Sequence, residues 1–149
     1  MEKEKLLERM EQSIDELIRE TELLAEEEFD TLTITGTWTA KEILSHVAAW
    51  DLIFADVSRK MAKNESIPEL PDFETFNSEE VEKRRKFGRR DIVNEVRKNR
   101  KAYIQVLDEV PEEHMQKPGY AFTIEGLAQD IMSHELHHLK QIRRKTTHI

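Results

Sequence analysis

The 149-residue chain has no cysteine. That removes disulfides, thiolate metal ligands and a cysteine nucleophile together. Any metal must then be held by imidazole and oxygen, a donor set that suits zinc, nickel, iron or manganese. Glycine and proline are scarce, at four residues each, which leaves few obligatory breaks in helical structure. No apolar run reaches the roughly 20 residues that cross a bilayer. The opening Met-Glu-Lys-Glu-Lys is not a secretory leader, so a cytoplasmic protein with no membrane partner is the expectation. Positive charge is in deficit, with 23 Lys and Arg against 31 Asp and Glu and a net charge of −8, which argues against general nucleic-acid binding. What is abundant is charge itself, 36% of residues, a composition that suits a protein made mostly of helices. The length suits a single domain over residues 1–149.

Apolar periodicity supplies the elements. From about Glu2 to Glu28, Leu7, Met10, Ile14, Leu17, Thr21 and Leu24 alternate steps of three and four, the heptad seam of a helix packed along its neighbours. Thr31 to Thr37 favours extended or turn structure. Thr39-Ala40-Lys41-Glu42 is a capping box, opening a second helix to about Lys63 with a stripe of Ile43, Val47, Trp50, Ile53, Phe54, Val57 and Met61. Residues Asn64 to Asn77, with Pro68 and Pro71, read as an ordered crossover loop, and Asn77 or Ser78 as the cap of the next helix. Helical pattern then runs to Val110, with Gly88 as a kink or break. After a loop from Glu112 to Ala121, Thr123 caps a last helix. Four long helices around one core make a four-helix bundle, all-α.

Three of the six histidines fall in the last helix, and two of them, His134 and His138, are four apart. On a helix such residues stand one above the other, with Cβ atoms about 5–6 Å apart. Two imidazoles so placed can reach one ion, each at about 2.0–2.1 Å for zinc. A third donor must come from elsewhere, and His46 is the best candidate, since at 100° per residue it falls inside the second helix's apolar stripe. Left unpaired, three inward imidazoles would be costly in a core, and a divalent metal ion pairs them. The depths agree as well. His46 lies seven residues after Thr39 and His138 seven before Lys145, so antiparallel helices would place both about 10 Å from one end.

A histidine early in helix two, His-x-x-x-His followed by Gln-Ile in the last helix, the Trp-Thr-Ala-Lys-Glu opening and the Thr-initiated last helix together resemble the DinB/YfiT-like superfamily. The resemblance spans nearly the whole chain. It implies a four-helix bundle in up-down-down-up order with a long crossover between helices two and three. It also implies one divalent metal held by three histidines, which map here to His46, His134 and His138. Members are similar to thiol-dependent transferases and isomerases, and many have no assigned activity.

His134-Glu135-Leu136-His137-His138 also matches the zinc-protease pattern His-Glu-x-x-His, but the extended form needs Gly and His where this chain has Gln141 and Arg144. Glu135 falls on the buried side of its helix. It can pair with a cation from a neighbouring helix or act as a base near a metal water. Asp130, four residues before His134, can orient that ring or lie in solvent. His137 reads as surface. The basic run Lys83 to Arg90 is flanked by Glu79, Glu80, Glu82 and Asp91, as on a solvated helix face.

Two functions remain open. One is a metal-dependent enzyme that transfers a low-molecular-weight thiol, or hydrolyses a small-molecule substrate, at an open coordination position. The other is a non-catalytic metal-binding or stress-related bundle. The heptad seam makes a homodimer the expected assembly.

Overall fold

The computed structural model describes residues 2–116 and 122–147. Its order is α1 (Lys3–Glu22), α2 (Glu26–Thr31), β1 (Thr33–Thr35), β2 (Trp38–Thr39), α3 (Ala40–Ala62), α4 (Phe73–Lys83), α5 (Arg89–Asp108), a single 3-10 turn (Glu112–His114) and α6 (Ile124–Thr146). The protein is helical, and the strands form one small antiparallel hairpin. Its turn is closed by Gly36 at φ +55°, a left-handed backbone that favours glycine.

The expected first helix is two helices. A straight continuation of the seam past Leu24 would turn Glu28 inward. Instead the chain turns after Glu22, the backbone N–H of Ala25 donates to Glu28 Oε1 at 2.7 Å, and α2 buries Phe29 completely. Most of the seam is spent inside the molecule: Met10, Ile14, Leu17, Thr21 and Leu24 are buried, with Leu6 and Ile18 beside them, while Leu7 is half-buried. At the head of α3 the expected capping box is present. Glu42 N donates to Thr39 Oγ1 at 3.2 Å and Thr39 N to Glu42 Oε1 at 3.0 Å.

The crossover holds more structure than its sequence suggests. Asp72, not Asn77 or Ser78, caps the next helix, its Oδ2 accepting from Thr75 N at 3.1 Å. Helix α4 therefore starts four residues before Asn77, and Asn77 is buried in its second turn. The break expected at Gly88 separates α4 from α5, and Gly88 N donates to Asp91 Oδ2 at 3.1 Å.

Cross-helix pairs set the directions. Lys3 Nζ reaches Val110 O at 2.8 Å, while further along α1 Asp15 meets Arg97 at 3.1 Å, so α1 and α5 run in opposite senses. Ser13 bonds Glu135 and Thr146 bonds Glu20, each at 2.7 Å, so α1 and α6 run in the same sense. The first half of α3 shares an apolar cluster with Ile92 and Val96, and its second half shares another with Tyr103 and Leu107; α3 and α5 are parallel. The order is up-down-down-up, with α4 inside the long crossover. Between the two apolar clusters lies a buried polar layer of Asp51, Arg100 and Glu135.

Candidate functional site

Helices α3 and α6 run antiparallel and leave between them a cavity of about 240 Å³, which α4 borders through Phe73. His46, His134 and His138 all line it, with Asp51, Asp130 and Glu135 and with apolar walls from Val47, Trp50, Phe54, Phe73, Leu127 and Ile131. The three histidines named from spacing thus share one cavity, as the antiparallel arrangement of α3 and α6 requires. His137, one residue from His138, is exposed, as is His134; His138 and His46 are half-buried. His114 lies in the 3-10 turn, and His148 lies outside the described residues.

Two of the rings are oriented from behind. His46 Nδ1 is 2.8 Å from Asn77 Oδ1, and His138 Nδ1 is 2.9 Å from Gln141 Oε1. Gln141 in turn donates through Nε2 to Thr35 Oγ1 at 3.0 Å, which ties the ring of α6 to the β-hairpin. With Nδ1 engaged, Nε2 is the nitrogen each ring has left. Metal-ligating histidines are commonly held this way, with the outer nitrogen bonded and the inner one free. Burial lowers the pKa of both rings below the ordinary imidazole value, although their amide partners act in the opposite direction, and the neighbouring histidines lower both further. Rings kept neutral in this way are competent as ligands. The donors therefore fit a divalent ion chemically. Among the described residues, though, no three His, Asp or Glu side chains stand close enough together to hold an ion as they are.

The aromatic wall was only partly legible. Trp50 belongs to the apolar stripe of α3 and stacks on Phe54 of the same helix, but two further ring partners come from the crossover. Phe73 stacks on it with centroids 5.4 Å apart, and Phe76 meets it edge-on at 4.8 Å. His46 is boxed by Trp38 and Phe73, each at 5.4 Å. Phe73 is 55% exposed and stands at the mouth. Nothing in the periodicity of the crossover assigns Phe73 or Asn77 to a site.

The floor of the cavity is ionic. Arg100, 1% exposed, donates through Nε to Asp51 Oδ2 at 2.7 Å and through Nη2 to Asp51 Oδ1 at 3.1 Å. Its Nη1 bonds Glu135 Oε1 at 3.0 Å and Met10 O at 2.9 Å, and its Nη2 also bonds Glu135 Oε2. Ser13 Oγ donates to Glu135 Oε1 at 2.7 Å. Of the two readings open for Glu135, the cation from a neighbouring helix is present, as Arg100. Burial pushes the Asp51 carboxyl up to about 6, against the lowering effect of Arg100. Sequence reading missed Asp51 and Arg100, whose charges hid within otherwise ordinary helix patterns.

The basic run is neutralised in part, at three of its six cations. Lys83 pairs with Glu80, Arg84 with Glu95, and Arg85 with Glu82. Arg89 donates to Leu24 O at 2.6 Å and lies over the Phe29 ring.

A sequence profile described as the DinB superfamily matches residues 4–142. No curated protein matches the chain at a significant level. Solved structures share the fold. The colibactin self-resistance protein ClbS, in complex with double-stranded DNA, superposes with a TM-score of 0.81 at 12% identity, covering 96% of this chain and 94% of that one. The mycothiol-dependent maleylpyruvate isomerase gives 0.79 at 14% identity, covering 95% of this chain and 61% of the other, so this chain is similar to a portion of that enzyme. A protein from Streptococcus pneumoniae gives 0.75 at 12% identity, covering 99% and 91%.

Proposed function

This chain belongs to the DinB superfamily, and from that premise we propose that it is a divalent-metal-dependent enzyme acting on a small molecule. His46, His134 and His138 are the ligands in this reading. The observation that carries it is their convergence on one apolar-walled cavity, with the outer nitrogens of His46 and His138 already bonded. Completing the set requires the three rings to draw closer together, since among the described residues they form no preassembled trio. A bound divalent ion would supply Lewis acidity and make a low-molecular-weight thiol or a water a better nucleophile near neutral pH. The chain's own contribution is containment. Trp50, Phe54, Phe73, Leu127 and Ile131 exclude water and favour a partly apolar electrophile. The preferred reaction is thiol transfer, with hydrolysis of a small ester or amide as the other outcome.

Glu135 is the acid–base candidate. It lines the cavity, but Arg100 and Ser13 both donate to it. Glu135→Gln distinguishes the roles: a base is lost with turnover while metal content stays, whereas a purely structural anion is lost with stability.

Small molecules are favoured over nucleic acid by the net charge of −8 and the internal pairing of the basic run. Among the described residues no helix is long and apolar enough to cross a membrane; a cytoplasmic location is the proposed one. The second reading, a non-catalytic bundle in which a metal only fastens α3 to α6, draws on the donors coming from both helices, His46 from α3 and His134 and His138 from α6.

The test is elemental analysis of protein purified without a metal-affinity tag. One divalent ion per chain is expected, with loss in His46→Ala while far-UV circular dichroism remains helical. Equal metal in both proteins would sink the ligand assignment. Metal retained by the wild type without turnover of any thiol or hydrolase substrate would favour the fastening role. Because burial holds His46 and His138 below the ordinary value of 6.5, protons should displace the ion only as pH falls beneath that value, as a metal-release titration would show.

A further inference from the structure

We propose that Asn77, oriented by the Trp50 indole, is a positioning residue that locks His46 in its Nδ1–H tautomer and leaves Nε2 as the nitrogen with a free lone pair. The argument is one of donors and acceptors. Trp50 Nε1–H lies 2.7 Å from Asn77 Oδ1. An indole nitrogen can only donate, so the atom facing it is the amide oxygen and not the amide nitrogen. The same oxygen lies 2.8 Å from His46 Nδ1. An amide oxygen can only accept, so Nδ1 carries the hydrogen. A neutral imidazole has one N–H, and Nε2 is therefore unprotonated. Ligation, proton abstraction and nucleophilic attack all need that lone pair.

The device comes from the crossover helix. Phe73 and Asn77 are four apart on one face of α4. Phe73 stacks on Trp50 and packs edge-on against His46, while Asn77, 4% exposed, reaches between the same two side chains. Trp50 and His46 are themselves four apart on α3. Two i,i+4 pairs on facing helices thus interlock, and α4 sets the chemistry of a histidine that α3 carries. A merely structural role for Asn77, satisfying the buried indole, would leave the tautomer of His46 open.

The inference rests on the cavity being the working site, but its test does not depend on metal. Nitrogen NMR of metal-free protein with isotope-labelled histidine, at mildly alkaline pH, reads each tautomer directly. The wild type should show His46 as Nδ1–H, the reverse of the form that free histidine favours in water. Asn77→Leu should convert it to a mixture or to Nε2–H. Trp50→Phe keeps an aromatic ring but removes the donor that orients the amide, and should also give a mixture with Asn77 intact. Asn77→Asp offers only acceptors and should restore Nδ1–H. A wild type in the Nε2–H form, or an unchanged signature in both Asn77→Leu and Trp50→Phe, would overturn the proposal. Should Asn77→Leu not fold, Trp50→Phe and Asn77→Asp still decide it. Titration with zinc alone supplies the second readout: affinity is expected to fall about 10–100-fold in Asn77→Leu and to recover in Asn77→Asp. Tautomers that change as expected in a protein that never binds zinc would uphold the positioning role and remove the metal reading instead.

Discussion

Arg100 sits where four helices meet, and its two carboxylate partners are as buried as it is. Asp51 is 1% and Glu135 2% exposed. Such a layer contributes little net stability when complete, because desolvation offsets attraction, but breaking it strands a buried charge. Arg100→Leu is therefore expected to cost about 3–5 kcal/mol in urea unfolding. Replacing Arg100, Asp51 and Glu135 together with apolar residues should recover most of that. An Arg100→Leu protein as stable as wild type would show that the layer is hydrated. Asp51 adds a pH signature. Its carboxyl titrates at about 6 in the folded protein and at about 3.9 when unfolded. Between those values the folded state binds more protons, so this group's contribution to stability falls as pH rises through the window. The stability difference between metal-free wild type and Asp51→Asn should accordingly decline from about pH 4 to about pH 6, as denaturant midpoints at a series of pH values would reveal.

Helix ends decide where the site residues stand. Thr39 starts α3 seven residues before His46, and Thr123 starts α6, its Oγ1 accepting from Gly126 N at 2.9 Å. Each cap satisfies a donor that the first turn leaves free. Thr39→Ala and Thr123→Ala should each destabilise by about 1 kcal/mol. Thr39→Ser should be close to neutral in thermal melts, because the hydroxyl is what caps. The crossover helix α4 depends on Asp72 in the same way. Fraying there would loosen Phe73 and Asn77 together, so Asp72→Ala is expected to raise hydrogen exchange in α4 more than in α5.

At the scale of the whole molecule, the up-down-down-up order makes α3 and α6 antiparallel, and this brings a histidine early in one helix to the cavity shared with two from the middle and later part of the other. A ligand that bridges them stabilises the folded state by mass action, by about 2.7 kcal/mol at a hundredfold excess over Kd. Zinc should raise the melting temperature of the wild type and leave that of His46→Ala where it was. Association is proposed on weaker ground than the seam of α1 first offered. Apart from half-buried Leu7, that seam is buried within the chain, while Leu23, Leu52 and Leu136 remain exposed. A homodimer is still the proposed state, and light scattering at micromolar concentration giving a mass near 17.6 kDa would count against it.

The sequence by itself determined what is local and periodic. Apolar spacing of three and four residues sets the long helices, Thr39 and Thr123 set two of their starts, and the i,i+4 relation sets His134 above His138, because each depends on neighbours within one turn. His46 could be named as a third donor because an imidazole inside an apolar stripe is costly without a partner. Only the tertiary structure decided what depends on residues far apart in the chain. Arg100 answers Glu135 across 35 residues and Asp51 across 49, and no pattern within either helix encodes that pairing. Asn77 reaches His46 across 31 residues, out of a stretch whose prolines read as a loop, through a helix that Asp72 caps and aromatic packing against Trp50 holds in place. Periodicity records which side of a helix avoids water. Which side chains meet there, and which nitrogen of a ring keeps its proton, follows from packing and from hydrogen bonds between helices.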